Sequence, residues 1–357
     1  MLFSPDAHEP LTGTPWSAER ARAAIAAIVL DAEQAFDDGW LLHPLDQDGS
    51  TPAKPRTLYL GGSGVVAALE RLGSDRNWAP YLEACLDEPD FPEEDSDRSL
   101  WGGEVGIRLV LQRLAPSAEN LERLAALIAD NAHDERCELM WGSPGTILAG
   151  RELGLDVTAS VEWLRAQRGE DGLWTQRLYD RIDQYLGPAH GFAGCVLALE
   201  GVADTTETLE RFAVREDDLV NWPPLARTRL DAQRDGLIRT QWCHGAPGIV
   251  ATLAPFMDAG LAVAGGELTW LAGPLRKGAG LCHGTAGNGY ALLALFERTG
   301  DEVWLARARA FAMHAVEQVE RARARYGRGR YALWTGDLGA ALYVDDCVRA
   351  RGTLPLP

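Results

Sequence analysis

Two cysteine–histidine pairs are the residues of this 357-residue chain best suited to chemistry. Cys243 with His244, and Cys282 with His283, each stand directly before a glycine. Thiolates and imidazoles that a fold brings together are the ligands that zinc prefers in proteins. The two pairs therefore predict a zinc site. It is either a closed structural site with four protein ligands, or a site with three ligands and one position open to a substrate.

The other cysteines predict no metal site of their own. Six cysteines scattered along a chain that shows no secretory signal favour reduced thiols over a disulfide framework. A buried free cysteine usually behaves as a small apolar residue. We expect the protein to be cytoplasmic, and we expect that apolar role for Cys85, Cys137, Cys195 and Cys347.

A repeated glycine pattern indicates how residues so distant in sequence could meet. A Gly-x-x-Gly step that leads into an apolar stretch rich in Ala, Leu and Val occurs seven times. Successive steps lie roughly 40 to 55 residues apart, which is the length of a two-helix repeat. The steps are Gly61–Gly64, Gly103–Gly106, Gly142–Gly145, Gly191–Gly194, Gly245–Gly248, Gly284–Gly287 and Gly336–Gly339.

The segments around these steps predict an all-α fold. Those after a step, such as 65–72 and 291–296, are apolar almost all round, as in a helix buried on every side. Those between steps, such as 18–36 and 303–319, have one charged face and predict outer helices. We predict one domain over residues 1–357, an α/α toroid of seven helical-hairpin repeats with seven inner and seven outer helices. The alternative is an open solenoid whose glycines only cap helices.

A closed toroid would place all seven glycine steps at one end of the barrel, so that the residues beside them converge on one site. Glycine has no Cβ, and it therefore lets chains approach each other closely near the axis. The expected site thus collects the two cysteine–histidine pairs together with His190, which also precedes the first glycine of a step.

Charge and composition exclude several classes of protein. A formal net charge of −18 argues against nucleic-acid binding, because phosphate recognition needs a basic face. No apolar run approaches the roughly 18 residues of a membrane-spanning helix. Nucleotide-binding loops and the nucleophile elbow of hydrolases are absent from the sequence.

Two segments resemble the signature segments of the lanthionine synthetase C-like family. They are Trp242-Cys243-His244-Gly245-Ala246-Pro247-Gly248 and the run from Lys277 to Tyr290, which contains Leu281-Cys282-His283-Gly284. The resemblance is closer to the eukaryotic-type, glutathione-binding branch than to lantibiotic cyclases, which usually have Tyr where His244 stands. The repeat pattern extends it over nearly the whole chain.

The resemblance implies one zinc ion held by Cys243, Cys282 and His283, with the fourth position open to water or a substrate thiol. It implies an enzyme that adds a thiol to a dehydroalanine or dehydrobutyrine residue of a peptide or protein. The thiol is glutathione in the eukaryotic-type branch and a cysteine of the same peptide in cyclases. Zinc suits this reaction because it lowers the pKa of a bound thiol.

The resemblance also implies catalytic residues. His190 is similar to the family's acid–base histidine and would protonate the enolate that thiol addition creates. Glu138 stands where cyclases tend to carry Asp, and we expect it to orient His190 or a water molecule. Arg239 matches an arginine of the cyclases, and we group His244 with these catalytic residues.

Two cations are the expected substrate-binding residues. Lys277 resembles a lysine that contacts glutathione, whose two carboxylates suit a cation at the mouth. Arg330 is the candidate for a second contact, with Arg328 as the alternative.

The sequence leaves other functions open beside glutathione addition. A lanthipeptide cyclase that forms lanthionine rings is the second enzyme, and a non-catalytic adaptor that binds glutathione or zinc is the rival from another class. A carbohydrate enzyme is disfavoured, because it needs two facing carboxylates and only Glu138 and Asp337 lie near the expected mouth.

Overall fold

The computed structural model describes residues 2–91, 97–178, 180–226, 238–352 and 354–355. Within them the chain forms fourteen α-helices and four short strands, β1 (Gln176–Leu178), β2 (Arg181–Asp183), β3 (Val214–Glu216) and β4 (Leu219–Asn221). The helices are α1 (Ala18–Gln34), α2 (Gly62–Arg71), α3 (Ala79–Asp87), α4 (Glu104–Leu114), α5 (Ala118–Asp130), α6 (Ser143–Glu152), α7 (Thr158–Ala166), α8 (Phe192–Ala198), α9 (Thr205–Phe212), α10 (Ala246–Leu253), α11 (Ala259–Ala272), α12 (Thr285–Thr299), α13 (Glu302–Tyr326) and α14 (Asp337–Arg349).

The even-numbered helices form a closed inner ring. Each of them contacts the next, from α2 through α14, and α14 contacts α2 again. The odd-numbered helices lie outside this ring; α13, for example, packs against α12 and α14. The prediction of an α/α toroid is confirmed, and the open solenoid is wrong because the last repeat contacts the first.

Burial follows the predicted division between inner and outer helices. In α12 every residue from Thr285 to Leu295 is buried, whereas α13 buries one face and exposes charges on the other. The middle of the ring is filled by large aromatic side chains. The Trp334 ring lies 4.8 Å from that of Trp101 and 4.5 Å from that of Trp242.

Each glycine step marks the start of an inner helix. The first glycine of each step is the N-cap residue of an even-numbered helix. The second glycine faces a carbonyl oxygen of its own preceding loop. A Cβ at Gly248 would lie 1.6 Å from the oxygen of Trp242, and one at Gly287 would lie 1.7 Å from that of Leu281. The corresponding distance is 2.1 to 2.3 Å in the other five repeats. Glycine is therefore needed at this position because a backbone carbonyl of the same repeat lies too close to leave room for a Cβ.

The loops at the mouth of the toroid are joined by backbone hydrogen bonds that we call the mouth belt. The amide N of Cys243 donates to the carbonyl of Cys282 (3.1 Å), and that of Cys282 donates to Trp334 (2.9 Å). Trp334 donates to Tyr59 (3.4 Å), which donates to Trp101 (3.0 Å). All five residues stand two positions before the first glycine of a step. The belt thus joins equivalent positions of repeats five, six, seven, one and two.

Two small antiparallel hairpins, β1–β2 and β3–β4, were not predicted. The first hairpin is anchored by Gln176, which is fully buried. Its side chain donates to the carbonyl of Cys137 (3.1 Å) and accepts from the amide N of Tyr185 (2.8 Å). The hairpin thereby holds Tyr185 beside the mouth.

Candidate metal centre

Cys243, Cys282 and His283 lie together at the mouth. One potential ligand atom from each residue is within 4.8 Å of the other two. Tetrahedral zinc with bonds of about 2.0 to 2.3 Å separates its ligand atoms by roughly 3.5 Å, so a small adjustment of side chains suffices. Both cysteines are buried and His283 is half-buried. Two sulfurs and one imidazole form a donor set that fits zinc and leaves one position without a protein ligand in this group.

The mouth belt positions the two cysteines. Cys243 lies in a tight turn in which Gln241 and His244 exchange two backbone hydrogen bonds, of 3.1 and 3.2 Å. The bond between the backbones of Cys243 and Cys282 then fixes one loop against the other. Gly187 passes so close to this turn that a Cβ there would lie 2.2 Å from the carbonyl oxygen of Cys243. The sulfur positions are therefore set by backbone contacts among several repeats.

The two sulfurs also interact directly. A hydrogen bond from Cys282 lowers the pKa of the Cys243 thiol well below its usual value. The same hydrogen bond raises the pKa of Cys282. The positive charge of Lys277 acts in the opposite direction on Cys282 and favours its thiolate.

His190 is held by Glu138. Its Nδ1 lies 2.8 Å from Oε2 of Glu138, which is fully buried. That carboxylate also accepts the backbone N–H groups of Met140 (2.9 Å), Trp141 (2.5 Å) and Gly142 (3.1 Å). Since a carboxylate only accepts, it favours the tautomer with a proton on Nδ1. The expectation that Glu138 orients His190 agrees with this geometry.

His244 follows Cys243 in the chain and lies next to His190. Its ring centroid is 6.4 Å from that of His190 and 6.2 Å from that of Tyr185. Burial lowers the pKa of His244, and the charge of Arg239 contributes in the same direction. Arg239 itself is exposed at the mouth. Glu138, His190 and His244 thus follow one another in space, and His244 directly follows Cys243 in the chain. The roles of these residues and of Arg239 stay predictions.

A cavity of about 630 Å³ adjoins the group, and His283 forms part of its wall. Five cationic residues line it against two acidic ones, Glu9 and Asp337. The cations are Arg276, Lys277, Arg321, Arg325 and Arg330. This basic lining contrasts with the net charge of −18 of the chain.

The two expected substrate-binding cations differ in their surroundings. Lys277 has no carboxylate partner among the described residues, so its ammonium group can receive an anion. Arg330 is already paired: its Nε donates to Asp46 at 2.7 Å, and both side chains are almost fully buried. Arg328 donates to the carbonyl oxygen of Leu42 (2.9 Å). Arg330 therefore lines the cavity as half of an ion pair.

Two residues at the centre were missed in the sequence analysis. Nε2 of Gln241 lies 2.9 Å from Sγ of Cys243. Burial, followed by the charge of the nearby Cys282, raises the pKa of the Tyr59 hydroxyl. Tyr59 precedes its glycine step by two residues, as both cysteines precede theirs. Aligning the repeats on their glycines would have drawn attention to it; no comparable signal marks Gln241.

A closed α/α toroid with a cysteine–cysteine–histidine group at its mouth is the class of protein that this fold and site define. Among the residues that the structure describes, no helix is long and apolar enough to cross a membrane. A sequence model of the lanthionine synthetase C-like protein family matches residues 52–351. The chain belongs to that family.

Curated proteins and a solved structure are similar to the chain. It is 33% identical over 195 residues to "Glutathione S-transferase LANCL1" of Danio rerio, a match that covers 48% of this chain and 45% of that protein. It is 36% identical over 149 residues to "LanC-like protein GCL1" of Arabidopsis thaliana, covering 37% and 32%. The chain thus matches less than half the length of either relative. The structure of a nisin cyclase has the same fold, with a TM-score of 0.53 at 15% identity over 93% of this chain and 99% of that one.

Proposed function

We propose that this protein is a zinc-dependent enzyme that forms thioethers by adding glutathione to dehydroalanine or dehydrobutyrine residues of peptides or proteins. The observation that carries the proposal is the position of the cysteine–cysteine–histidine group, which adjoins a cation-lined cavity through His283. A metal group that activates a thiol and a cavity that attracts carboxylates are the two parts that the reaction needs.

The cavity has the size and the polarity of a small-molecule site. Its volume of about 630 Å³ falls within the range of roughly 300 to 1,000 Å³ that such sites occupy. Three of its lining residues have a buried polar atom without a partner among the described residues: His43 Nε2, Gln318 Oε1 and Thr335 Oγ1. Unpaired polar atoms are costly in a protein interior, and a peptide-like ligand would satisfy them.

The name of the Danio rerio relative, a glutathione S-transferase, supports the choice of thiol. Glutathione carries two carboxylates, and Lys277 is suited to bind one of them by a charge-assisted hydrogen bond. Arg276 and Arg325 line the same cavity without a carboxylate partner among the described residues. Arg330 lines the same cavity, but Asp46 balances its charge. Lys277, Arg276 and Arg325 would therefore supply most of the attraction for a carboxylate.

The residues around the metal group would divide the work of addition. Zinc, if held by Cys243, Cys282 and His283, would supply a Lewis acid that favours the thiolate at neutral pH. In the addition, the sulfur bonds to the β-carbon and the π electrons move to the α-carbon. His190, aligned by Glu138, would deliver a proton to that carbon.

Two further residues would bind the acceptor. Arg239 lies at the open mouth, where it would hold the carbonyl oxygen that gains negative charge as the double bond is consumed. His244, which lies next to His190, would contact the acceptor on the side away from solvent. We also propose that residues 1–357 form one toroid domain; a cytoplasmic location stays a prediction.

A direct test mixes purified, zinc-loaded protein with glutathione and a peptide that contains dehydroalanine, and the product is weighed by mass spectrometry. One added glutathione per dehydroalanine supports the proposal. Conversion of a peptide that also contains cysteine into an isomer of unchanged mass would favour the ring-forming cyclase. Bound zinc with neither product would favour the non-catalytic adaptor.

A further inference from the structure

The position directly before the first glycine of a step carries the histidines of the mouth. His190, His244 and His283 occupy this position in repeats four, five and six. Trp141 occupies it in repeat three, and Gly102 occupies it in repeat two. The repeat geometry that places the three histidines therefore also places Trp141, which neighbours His190 in the order of the repeats.

The indole of Trp141 stacks on the imidazole of His190. The two ring centroids are 5.6 Å apart, and the ring planes are 20° from parallel. Offset stacking of this kind is a favoured arrangement of aromatic rings. Repeat two limits the indole from another direction, since a Cβ at Gly102 would lie 3.2 Å from Nε1 of Trp141. The backbone N–H of Trp141 also donates to Oε1 of Glu138 (2.5 Å), so the tryptophan is fixed at both its backbone and its ring.

Glu138 and Trp141 constrain different movements of the His190 ring. The contact of 2.8 Å between Oε2 of Glu138 and Nδ1 fixes one atom of the imidazole. A single hydrogen bond of this kind still lets the ring turn about the line that joins the two atoms. The indole restricts that turn, because it lies over one face of the imidazole. The two contacts together set the direction in which Nε2 of His190 points.

That direction matters under the proposed function, on which this inference rests. Because a carboxylate holds Nδ1, the proton that His190 delivers leaves from Nε2. The thiolate sulfur bonds to the β-carbon, the π electrons move to the α-carbon, and the proton from Nε2 forms the new bond there. A donor of fixed direction protonates one face of the α-carbon, and it does so faster than a donor that must first find its orientation. Water, by contrast, can protonate either face.

We propose that Trp141 is a positioning residue that fixes the plane of the His190 ring, so that the α-carbon is protonated rapidly and from one face. Trp141 acts through His190 and needs no contact with the substrate. Loss of its ring therefore changes the rate of turnover and the configuration of the product, and leaves the binding of glutathione as it was.

The test compares Trp141→Leu with Trp141→Phe, which retains an aromatic face. We expect kcat for glutathione addition to a dehydroalanine peptide to fall roughly tenfold in Trp141→Leu, with KM for glutathione within about twofold of the parent. Trp141→Phe should recover most of the loss. Chiral chromatography of the hydrolysed product, corrected for the reaction without enzyme, should show one epimer at the α-carbon for the parent and both epimers for Trp141→Leu.

Trp163→Leu is the matched control. The ring of Trp163 also contacts a histidine, His133, with the centroids 6.1 Å apart, but it belongs to the outer helix α7. This variant should keep the parental kcat and give a single epimer.

A second readout examines the stack in the protein without substrate. With isotope-labelled histidine, the ring current of the indole should shift the NMR signal of the His190 Hε1 proton upfield, and the loss of this signal in His190→Asn identifies it. Trp141→Leu should remove the shift, whereas Trp163→Leu should retain it. An unshifted signal in the parent would overturn the inference.

Metal content and circular dichroism establish that each variant is folded and loaded, and Trp141→Met replaces Trp141→Leu if the latter is not. Parental kcat with a single epimer in Trp141→Leu overturns the inference, and so does a Trp141→Phe enzyme that is no better than Trp141→Leu. A parent that forms no glutathione adduct refutes the proposed function instead. The other two outcomes require an active parent, and they refute the role of Trp141 alone.

Discussion

Nδ1 of His190 lies 2.8 Å from Oε2 of Glu138, a carboxylate that no solvent reaches. The two residues belong to neighbouring repeats, and Glu138 also caps the loop that begins α6 through three backbone N–H groups. The same carboxylate therefore stabilises a loop and orients an imidazole at the mouth.

Replacing His190 with Asn should separate turnover from metal binding. His190→Asn removes the proposed proton donor and leaves the three ligand side chains in place. We expect kcat for glutathione addition to fall by roughly two orders of magnitude or more, with zinc content unchanged. Single-turnover kinetics and metal analysis check both. A variant that loses its zinc would indicate a structural role for His190.

Removing one sulfur should remove the metal. Cys282→Ala leaves Cys243 and His283, and two ligands seldom hold zinc. We expect less than a tenth of the parental zinc to remain after dialysis, as measured by inductively coupled plasma mass spectrometry. Cys347→Ala, which truncates a buried cysteine of α14, should retain it. Stoichiometric zinc in Cys282→Ala would contradict the ligand assignment.

Lys277, which has no carboxylate partner in the described part of the chain, should contribute to glutathione affinity. Lys277→Ala removes the proposed partner of one carboxylate, and we expect Kd to rise roughly 10- to 100-fold, with a weaker dependence on salt. Titration calorimetry at two ionic strengths measures this. Arg22→Ala, on the exposed face of α1, is the control and should bind as the parent does. Equal affinities in all three proteins would place glutathione elsewhere.

Asp337 should make the stability depend on pH. Burial raises its pKa from 3.8 to about 7, against the opposing effects of the Arg330 amide and the charges of Arg323 and Arg330. Between these two values the folded state keeps a proton that the unfolded state has lost, so the free energy of unfolding falls as pH rises from about 4 to 7. Asp337→Asn should remove a few kcal/mol of that fall.

Urea unfolding of the parent and of Asp337→Asn at several pH values between 4 and 8 measures the difference. The parent should lose stability relative to the variant as pH rises, and the difference should level off above pH 7. A constant difference over the whole range would show that Asp337 is ionised in the folded protein.

A methyl group added at a glycine step should destabilise the loops at the mouth of the toroid. The Cβ added by Gly287→Ala would lie 1.7 Å from the carbonyl of Leu281, beside Cys282. We expect a loss of more than about 3 kcal/mol in the free energy of unfolding, or failure to fold. Gly13→Ala meets no atom within 4 Å and should be neutral. Thermal melts compare them; equal midpoints would refute the close-approach explanation.

The sequence predicted those features that recur from repeat to repeat. Glycine spacing and apolar runs were sufficient to predict the ring of helices, because each repeat contains the same glycine step followed by an apolar segment. The grouping of Cys243 with Cys282 followed, since equivalent positions of neighbouring repeats must adjoin in a closed ring. Tyr59 was accessible to the same reasoning and was missed because tyrosine is not a zinc ligand.

What could not be predicted depends on single contacts between distant segments. The pairing of Arg330 with Asp46 joins residues from opposite ends of the chain, and neither has a periodic signal. Gln241 acts through a turn whose geometry arises only once the repeats have closed. The two short hairpins replace no helix of the pattern and lie in stretches too short to show alternation.

The mouth belt passes from the seventh repeat to the first through Trp334 and Tyr59. The ribosome therefore synthesises Tyr59 long before Trp334, and the hydrogen bond between their backbones forms only after the seventh repeat has been made. All three candidate ligands, by contrast, come from two adjacent repeats. A nascent chain can thus bring the three candidate ligands together first, and Cys282 acquires its final environment only when the seventh repeat meets the first.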